Sequence, residues 1–293
     1  MEHYRHEFRA MGTSISMLAP PEASSRHAAA ADAVRSVFAE EEERFSRFRG
    51  TSELTRVNRR AGRWVNVSPR FEELARLALG HAATSDGLFD PTVLDAVIAA
   101  GYDRNYDEVL AGARGALHPS RPCGRWREIL LSDGAIKLPT EVGLDLGGIA
   151  KGFTADLAAE AAVAAGIPWA LVSAGGDLRI AGDAPPIEVG IEDPADPGSY
   201  AARVTLEEGA LATSSVMARA WGDGLHHIID PRTGSPSAAD AIQATVWAPT
   251  CAEAEVRATW ALLTGRAATR ALPCAIATID GDLVMSFHAE VAA

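Results

Sequence analysis

The stretch 142–167, VGLDLGGIAKGFTADLAAEAAVAAGI, decides how the rest of the chain is read. An apolar start runs through Asp145, a Gly147-Gly148 pair and Lys151-Gly152 into an alanine-rich helix that ends at Gly166. A helix beginning near Ile149 directs unpaired backbone N–H groups at any anion near its start. Gly148, without a Cβ, lets the backbone approach a ligand closely. Lys151 adds a point charge. Asp145 can pair with that lysine, accept hydrogen bonds from a ribose or a base, or face a metal. A strand–turn–helix held by an Asp–Lys pair explains the same residues without any ligand. Neither nucleotide fingerprint is present: the spacing fits neither G-x-x-x-x-G-K-[ST] nor G-x-G-x-x-G.

Working outward, the flanking segments alternate between short strands and amphipathic helices without a strict βαβ order. Residues 24–48 place Ala31, Val34, Phe38 and Phe45 on one helical face. Ser52 reads as a helix cap, and Ser68-Pro69 opens a second helix over 69–85. A third covers 93–100, while 103–124 reads as irregular surface. WREILLSDGAIKLP is a hairpin with Asp133-Gly134 at its turn. WALVSAGGDLRIAG gives strand, Gly175-Gly176 turn and strand, which a plain hairpin explains. PIEVGIEDP, YAARVTLEEGALATSS, LHHIIDPRTG and QATVWAP read as further strands, TCAEAEVRATWALLTG as a helix, and CAIATID and DLVMSFH as closing strands. The pattern predicts an α+β fold of mixed, largely antiparallel sheets with packed helices. One domain over 1–293, built of two intimately packed subregions, is the expected organisation.

Composition narrows the function. The chain has 293 residues, 47% hydrophobic and 23% charged, with a net charge of −12. Such an acidic surface does not suit nucleic acid, which needs clustered Lys and Arg. No apolar run approaches the roughly 20 residues that span a bilayer. The N-terminal residues lack a basic segment followed by an apolar one, so a cytoplasmic location is expected. Cys123, Cys251 and Cys274 are odd in number and far apart, which disfavours a disulfide framework or a zinc site.

Three further segments carry chemistry. In LHHIIDPRTGSP, His226 and His227 are adjacent, so on a strand only one faces a given cleft. Histidine is the neutral-pH acid–base group. Glu255 and Thr259 stand four apart on one helix face, and their oxygens suit a hard cation such as Mg²⁺. SDGLFDPT, 85–92, joins an aromatic, a carboxylate and a proline-fixed turn, which grips a base or merely turns.

Taken in order, MGTSISM, FSRFRGTSELTRVN, SDGLFDPTV, LDLGGIAKGFTAD, VSAGGDLRIAG, ATSS, HHIIDPRTG and AEAEVRAT resemble the ApbE-type FAD:protein FMN transferases. The resemblance implies an ApbE-like, T-fold-like architecture. It implies FAD as substrate, Mg²⁺ as cofactor, and transfer of FMN to a threonine of an acceptor flavoprotein with release of AMP. Met11, Phe48, Leu88, Phe89, Asp90, Asp145 and Lys151 then contact FAD, together with Ile228 or Ile229. The Gly148 carbonyl, Glu255 and Thr259 then hold the metal, and His227 assists deprotonation of the acceptor threonine, with Lys151 the second catalytic candidate. Three positions depart from the family pattern: Glu255 stands where aspartate is usual, Phe48 where tyrosine is common, and Leu88 where a small residue usually precedes Phe-Asp. An FAD pyrophosphatase, with water as acceptor, and a non-catalytic FAD-binding protein are the competing expectations.

Overall fold

The structure is a computed structural model that describes residues 3–112, 123–196, 198–221, 224–287 and 290–291. The chain divides into two compact units. The first holds Met1–Glu40, Lys151–Ser215 and Ala239–Ala293; the second holds Glu41–Ala150 and Val216–Ala238.

The first unit is built on an eight-stranded sheet: β1 (Tyr4–Ala10), β2 (Thr13–Ala19), β3 (Trp169–Ala174), β4 (Asp177–Gly182), β5 (Ala210–Ser215), β6 (Ala241–Ala248), β7 (Cys274–Thr278) and β8 (Leu283–Met285). Each strand pairs antiparallel with its neighbours in this order. A smaller antiparallel sheet of Ile187–Glu192, Tyr200–Leu206 and Glu290–Val291 accompanies it. Alternate residues of the large sheet, Trp169 and Leu171, Leu178 and Ile180, pack with Ile187, Ile191, Val204 and Leu206 of the small one. This is the period-two signature of a sheet with one apolar face turned to a core. β3 is buried on both faces, with only Ser173 less than fully covered. Helices Ala150–Ala164 and Cys251–Thr264 belong to the same unit, and the second lies along β5 and β6. Their buried faces are rich in alanine (Ala155, Ala158, Ala159 and Ala162; Ala252, Ala254, Ala258 and Ala261), which allows close backbone approach.

The second unit sets helices Glu53–Asn58, Pro69–Thr84 and Leu94–Ala99 beside a three-stranded antiparallel sheet of Trp64–Asn66, Ala135–Lys137 and Leu130–Ser132. Ser52 and Ser68 cap the first two of these helices, accepting from Thr55 N and Phe71 N, as their sequences predict. Asp133-Gly134 makes the predicted turn, with Gly134 at φ +69°.

Two expectations need correction. The segment read as irregular over 103–124 contains a helix, Tyr106–Ala111, started by Asn105, whose side chain accepts from Glu108 N; residues 113–122 lie outside the described residues. YAARVTLEEGALATSS is two strands in two sheets. The chain changes sheet at Gly209, whose φ of +84° and close approach to the Ala248 carbonyl exclude a side chain.

Candidate functional site

The first unit concentrates its buried charge where two helices begin. Gly152, in the first turn of Ala150–Ala164, abuts the start of Cys251–Thr264. A Cβ on Gly152 would lie 2.3 Å from the Cys251 carbonyl oxygen and 2.8 Å from Ala252 N, so glycine alone permits the contact. Asp156, one turn along, accepts hydrogen bonds from Cys251 N at 2.8 Å and Ala252 N at 3.0 Å. It thereby satisfies two of the orphan donors at that helix start. Arg179 Nε stands 3.2 Å from the same carboxylate. Burial pushes the Asp156 carboxyl upward, against the pull of those N–H groups.

This junction aims Glu255 back at the Lys151 helix. Its Oε2 accepts from Gly152 N at 2.8 Å, and its Oε1 pairs with Lys151 Nζ. Lys151 Nζ also stands 2.8 Å from Asp177 Oδ2. The Lys151 side chain is 19% exposed, against 2% for Asp177 and 4% for Glu255, so the lysine is the least covered member of the cluster. Burial pushes the Glu255 carboxyl upward, against the pull of the neighbouring ammonium. For Lys151, burial acts downward, but the two carboxylates outweigh it and hold the ammonium above its ordinary range. Buried charges of this kind add little to stability, while removing one partner costs roughly 3–5 kcal/mol.

Two carboxylates, of Asp177 and Glu255, meet the one ammonium of Lys151 here. One turn beyond Glu255, Thr259 Oγ1 lies 3.2 Å from Ser214 Oγ, and Thr213 and Thr245 hydroxyls meet at 2.9 Å beside it in sequence. A carboxylate and a hydroxyl on one helix face fit a hard divalent cation. Among the described residues no cluster of three or more His, Cys, Asp or Glu side chains surrounds a metal position. The expected donor set needs none, because only Glu255 among its three donors is of that kind.

Met11 also lies in the first unit. It occupies the two-residue turn between β1 and β2, at φ +49° with Gly12 at +70°.

The second unit gathers most of the remaining candidates. Asp145 Oδ1 accepts from Gly147 N at 2.6 Å, and its Oδ2 faces Arg47 Nε at 3.3 Å. Arg47 lies 4.2 Å from the centroid of Phe48 and 4.5 Å from that of Tyr102, and donates to the Tyr102 carbonyl at 2.8 Å. Phe48 is 42% exposed. Leu88 precedes the buried Phe89, whose ring edge lies 3.3 Å from where a Gly148 Cβ would be. Asp90 is buried. It accepts from Thr92 N and Oγ1 at 2.7 and 2.6 Å and from Gly124 N at 2.5 Å, so it holds its own loop. Ile228 and Ile229 are both buried, the latter packed with Val97 and Tyr102.

The two histidines separate. His226 is buried, with Nε2 3.2 Å from the Ser237 carbonyl, and burial holds its pKa below the ordinary value. His227 is partly exposed, with Nδ1 3.3 Å from the Arg219 carbonyl. A carbonyl only accepts, so this contact is a hydrogen bond in the tautomer that carries its proton on Nδ1.

Asp145 and Lys151, whose pairing is one of the alternatives the sequence leaves open, have other partners: Arg47 for the aspartate, Asp177 and Glu255 for the lysine. Asp177, Arg47 and Asp156 were not singled out from the sequence. Asp177 sits beside a Gly-Gly pair and Arg47 beside Phe48, signals too common to stand alone.

A family model described as the ApbE family matches residues 11–276. A protein of Treponema pallidum named FAD:protein FMN transferase is 31% identical over 261 residues, covering 81% of this chain and 72% of that protein. One of Rhodobacter capsulatus with the same name is 34% identical over 194 residues, 60% of this chain but only 35% of the relative's length. The crystal structure of the ApbE protein from Thermotoga maritima superposes with a TM-score of 0.86 at 26% identity, over 97% of each chain. Among the described residues no helix is long and apolar enough to cross a membrane.

Proposed function

The chain belongs to the ApbE family, and from that premise we propose that it transfers the FMN half of FAD to a threonine of an acceptor flavoprotein, releasing AMP and requiring Mg²⁺. The observation that carries this reading is the Lys151 cluster: a partly exposed lysine side chain backed by two buried carboxylates at the start of a helix. A pyrophosphate with a divalent cation matches that charge pattern.

In this reading Met11, Phe48, Leu88, Phe89, Asp90, Asp145 and Lys151 contact FAD, together with Ile228 or Ile229. The exposed Phe48 ring offers a stacking face, and the Arg47-held Asp145 a fixed acceptor. Glu255, Thr259 and the Gly148 carbonyl would hold Mg²⁺, which neutralises charge on phosphate oxygens when bound. The threonine hydroxyl oxygen forms a bond to the FMN phosphorus, and the bond from that phosphorus to the bridging oxygen breaks. The bridging oxygen leaves with AMP. His227 Nε2 takes the hydroxyl proton, and Lys151 offsets charge on the pyrophosphate. Positioning and charge neutralisation supply most of the rate in such transfers.

The test is incubation with FAD, Mg²⁺ and a threonine-bearing acceptor flavoprotein, read by intact mass. An FMN-sized gain on the acceptor that disappears in His227→Ala supports the reading. Free FMN and AMP without acceptor labelling would assign a pyrophosphatase instead, and FAD binding without turnover a non-catalytic binder.

A further inference from the structure

We propose that Asp177 is the positioning residue for Lys151: it retains the ammonium when the Glu255 carboxylate is given over to a cation. The inference rests on the reading in which Lys151 contacts FAD and Glu255 binds metal.

The observations come from the turn that delivers Asp177. Ala174 and Asp177 pair across a two-residue loop, with Gly175 at φ +62° and Gly176 at +99°. Positive φ at both positions is the tight hairpin form that glycine favours. A Cβ on Gly175 would also lie 2.3 Å from Thr13 Oγ1, so β2 closes over the turn. The loop is therefore fixed by both conformation and packing, and Asp177 is the first residue after it. Its side chain is 2% exposed and reaches Lys151 Nζ at 2.8 Å.

The ammonium thus bridges two carboxylates with different duties. Glu255 sits one turn before Thr259 and shares the donor set that suits a cation. Asp177 stands outside that helix face. A cation on Glu255 competes with Lys151 for Oε1, and the ammonium then needs a second anchor to stay near its place. Asp177 is that anchor. Without it, Lys151 and the divalent ion contend for one carboxylate, and the ammonium no longer has a fixed position from which to meet a phosphate.

The experiment is a double-mutant cycle read by FAD binding at saturating Mg²⁺, using quenching of flavin fluorescence. Asp177→Asn keeps the shape and removes the charge; Lys151→Met removes the ammonium. Thermal melts of all four proteins confirm that each is folded. Asp177→Asn is expected to weaken FAD binding about tenfold with Lys151 present. In the Lys151→Met background it is expected to change affinity less than about twofold. An unchanged affinity in Asp177→Asn, an equal loss in both backgrounds, or a variant that fails to fold overturns the positioning role while leaving the FAD reading standing. An unchanged affinity in Lys151→Met overturns that reading and this inference with it.

Discussion

The molecule contains two Gly-Gly turns of similar sequence and different physics. Gly175-Gly176, in the first unit, is demanded by its backbone: both glycines have positive φ and Gly175 has no room for a Cβ. Gly147-Gly148, in the second unit, has neither residue at positive φ. It is shaped instead by Asp145, which accepts from Gly147 N while Arg47 holds its other oxygen. A Cβ on Gly148 would meet only the edge of Phe89, at 3.3 Å. One turn is fixed by conformation and aims a carboxylate into a core. The other is fixed by a side chain and keeps its backbone uncovered. Glycine therefore marks strain in the first case and access in the second.

That contrast is broken most severely at Gly175. Gly175→Ala combines a left-handed alanine with a clash against Thr13 and is expected to cost about 3 kcal/mol of unfolding free energy. Urea denaturation measures it, and Thr13→Ala in the same background should recover part of the loss. Full stability in Gly175→Ala alone would show that the turn relaxes easily. A smaller effect is expected where a side chain does the holding. Arg47→Met leaves Asp145 without its ion pair and should lower stability by about 2 kcal/mol, since both side chains are only 11% exposed and the Tyr102 carbonyl also loses its donor. The smallest stability effect belongs to Gly148→Ala, expected within about 1 kcal/mol of wild type because its φ suits any residue and Phe89 need shift only slightly. In the proposed function the same change lowers FAD affinity, so loss of binding with little loss of stability sharpens the contrast. Parallel loss of both would make the two turns alike.

These turns also show how much the sequence disclosed. Lys151, Glu255 and Thr259 were legible because their chemistry is local: a lysine at a helix start, and a carboxylate and hydroxyl four apart on one face. Caps at Ser52 and Ser68, and the Asp133-Gly134 turn, were legible for the same reason. Asp177 was not. A Gly-Gly-Asp hairpin reads identically whether its aspartate meets solvent or a lysine on a distant helix, and only the sheet register decides. Asp156 and Gly152 were hidden likewise, since their partners at Cys251 and Ala252 lie far along the chain. The sheet change at Gly209 escaped because one glycine after Glu207-Glu208 does not say whether the next strand returns to the same sheet. The helix at Tyr106–Ala111 was masked by its charged, turn-rich surroundings, although Asn105 is a proper cap.

The most direct test of the central claim, that the Lys151–Asp177–Glu255 cluster is a joint seat for a phosphate and a divalent cation, is an FAD titration with and without Mg²⁺ on wild type and Glu255→Gln. Mg²⁺ is predicted to raise FAD affinity at least about tenfold in the wild-type protein and to have little effect once the carboxylate is gone. Identical isotherms with and without Mg²⁺ in the wild type, or an undiminished Mg²⁺ effect in Glu255→Gln, would contradict it.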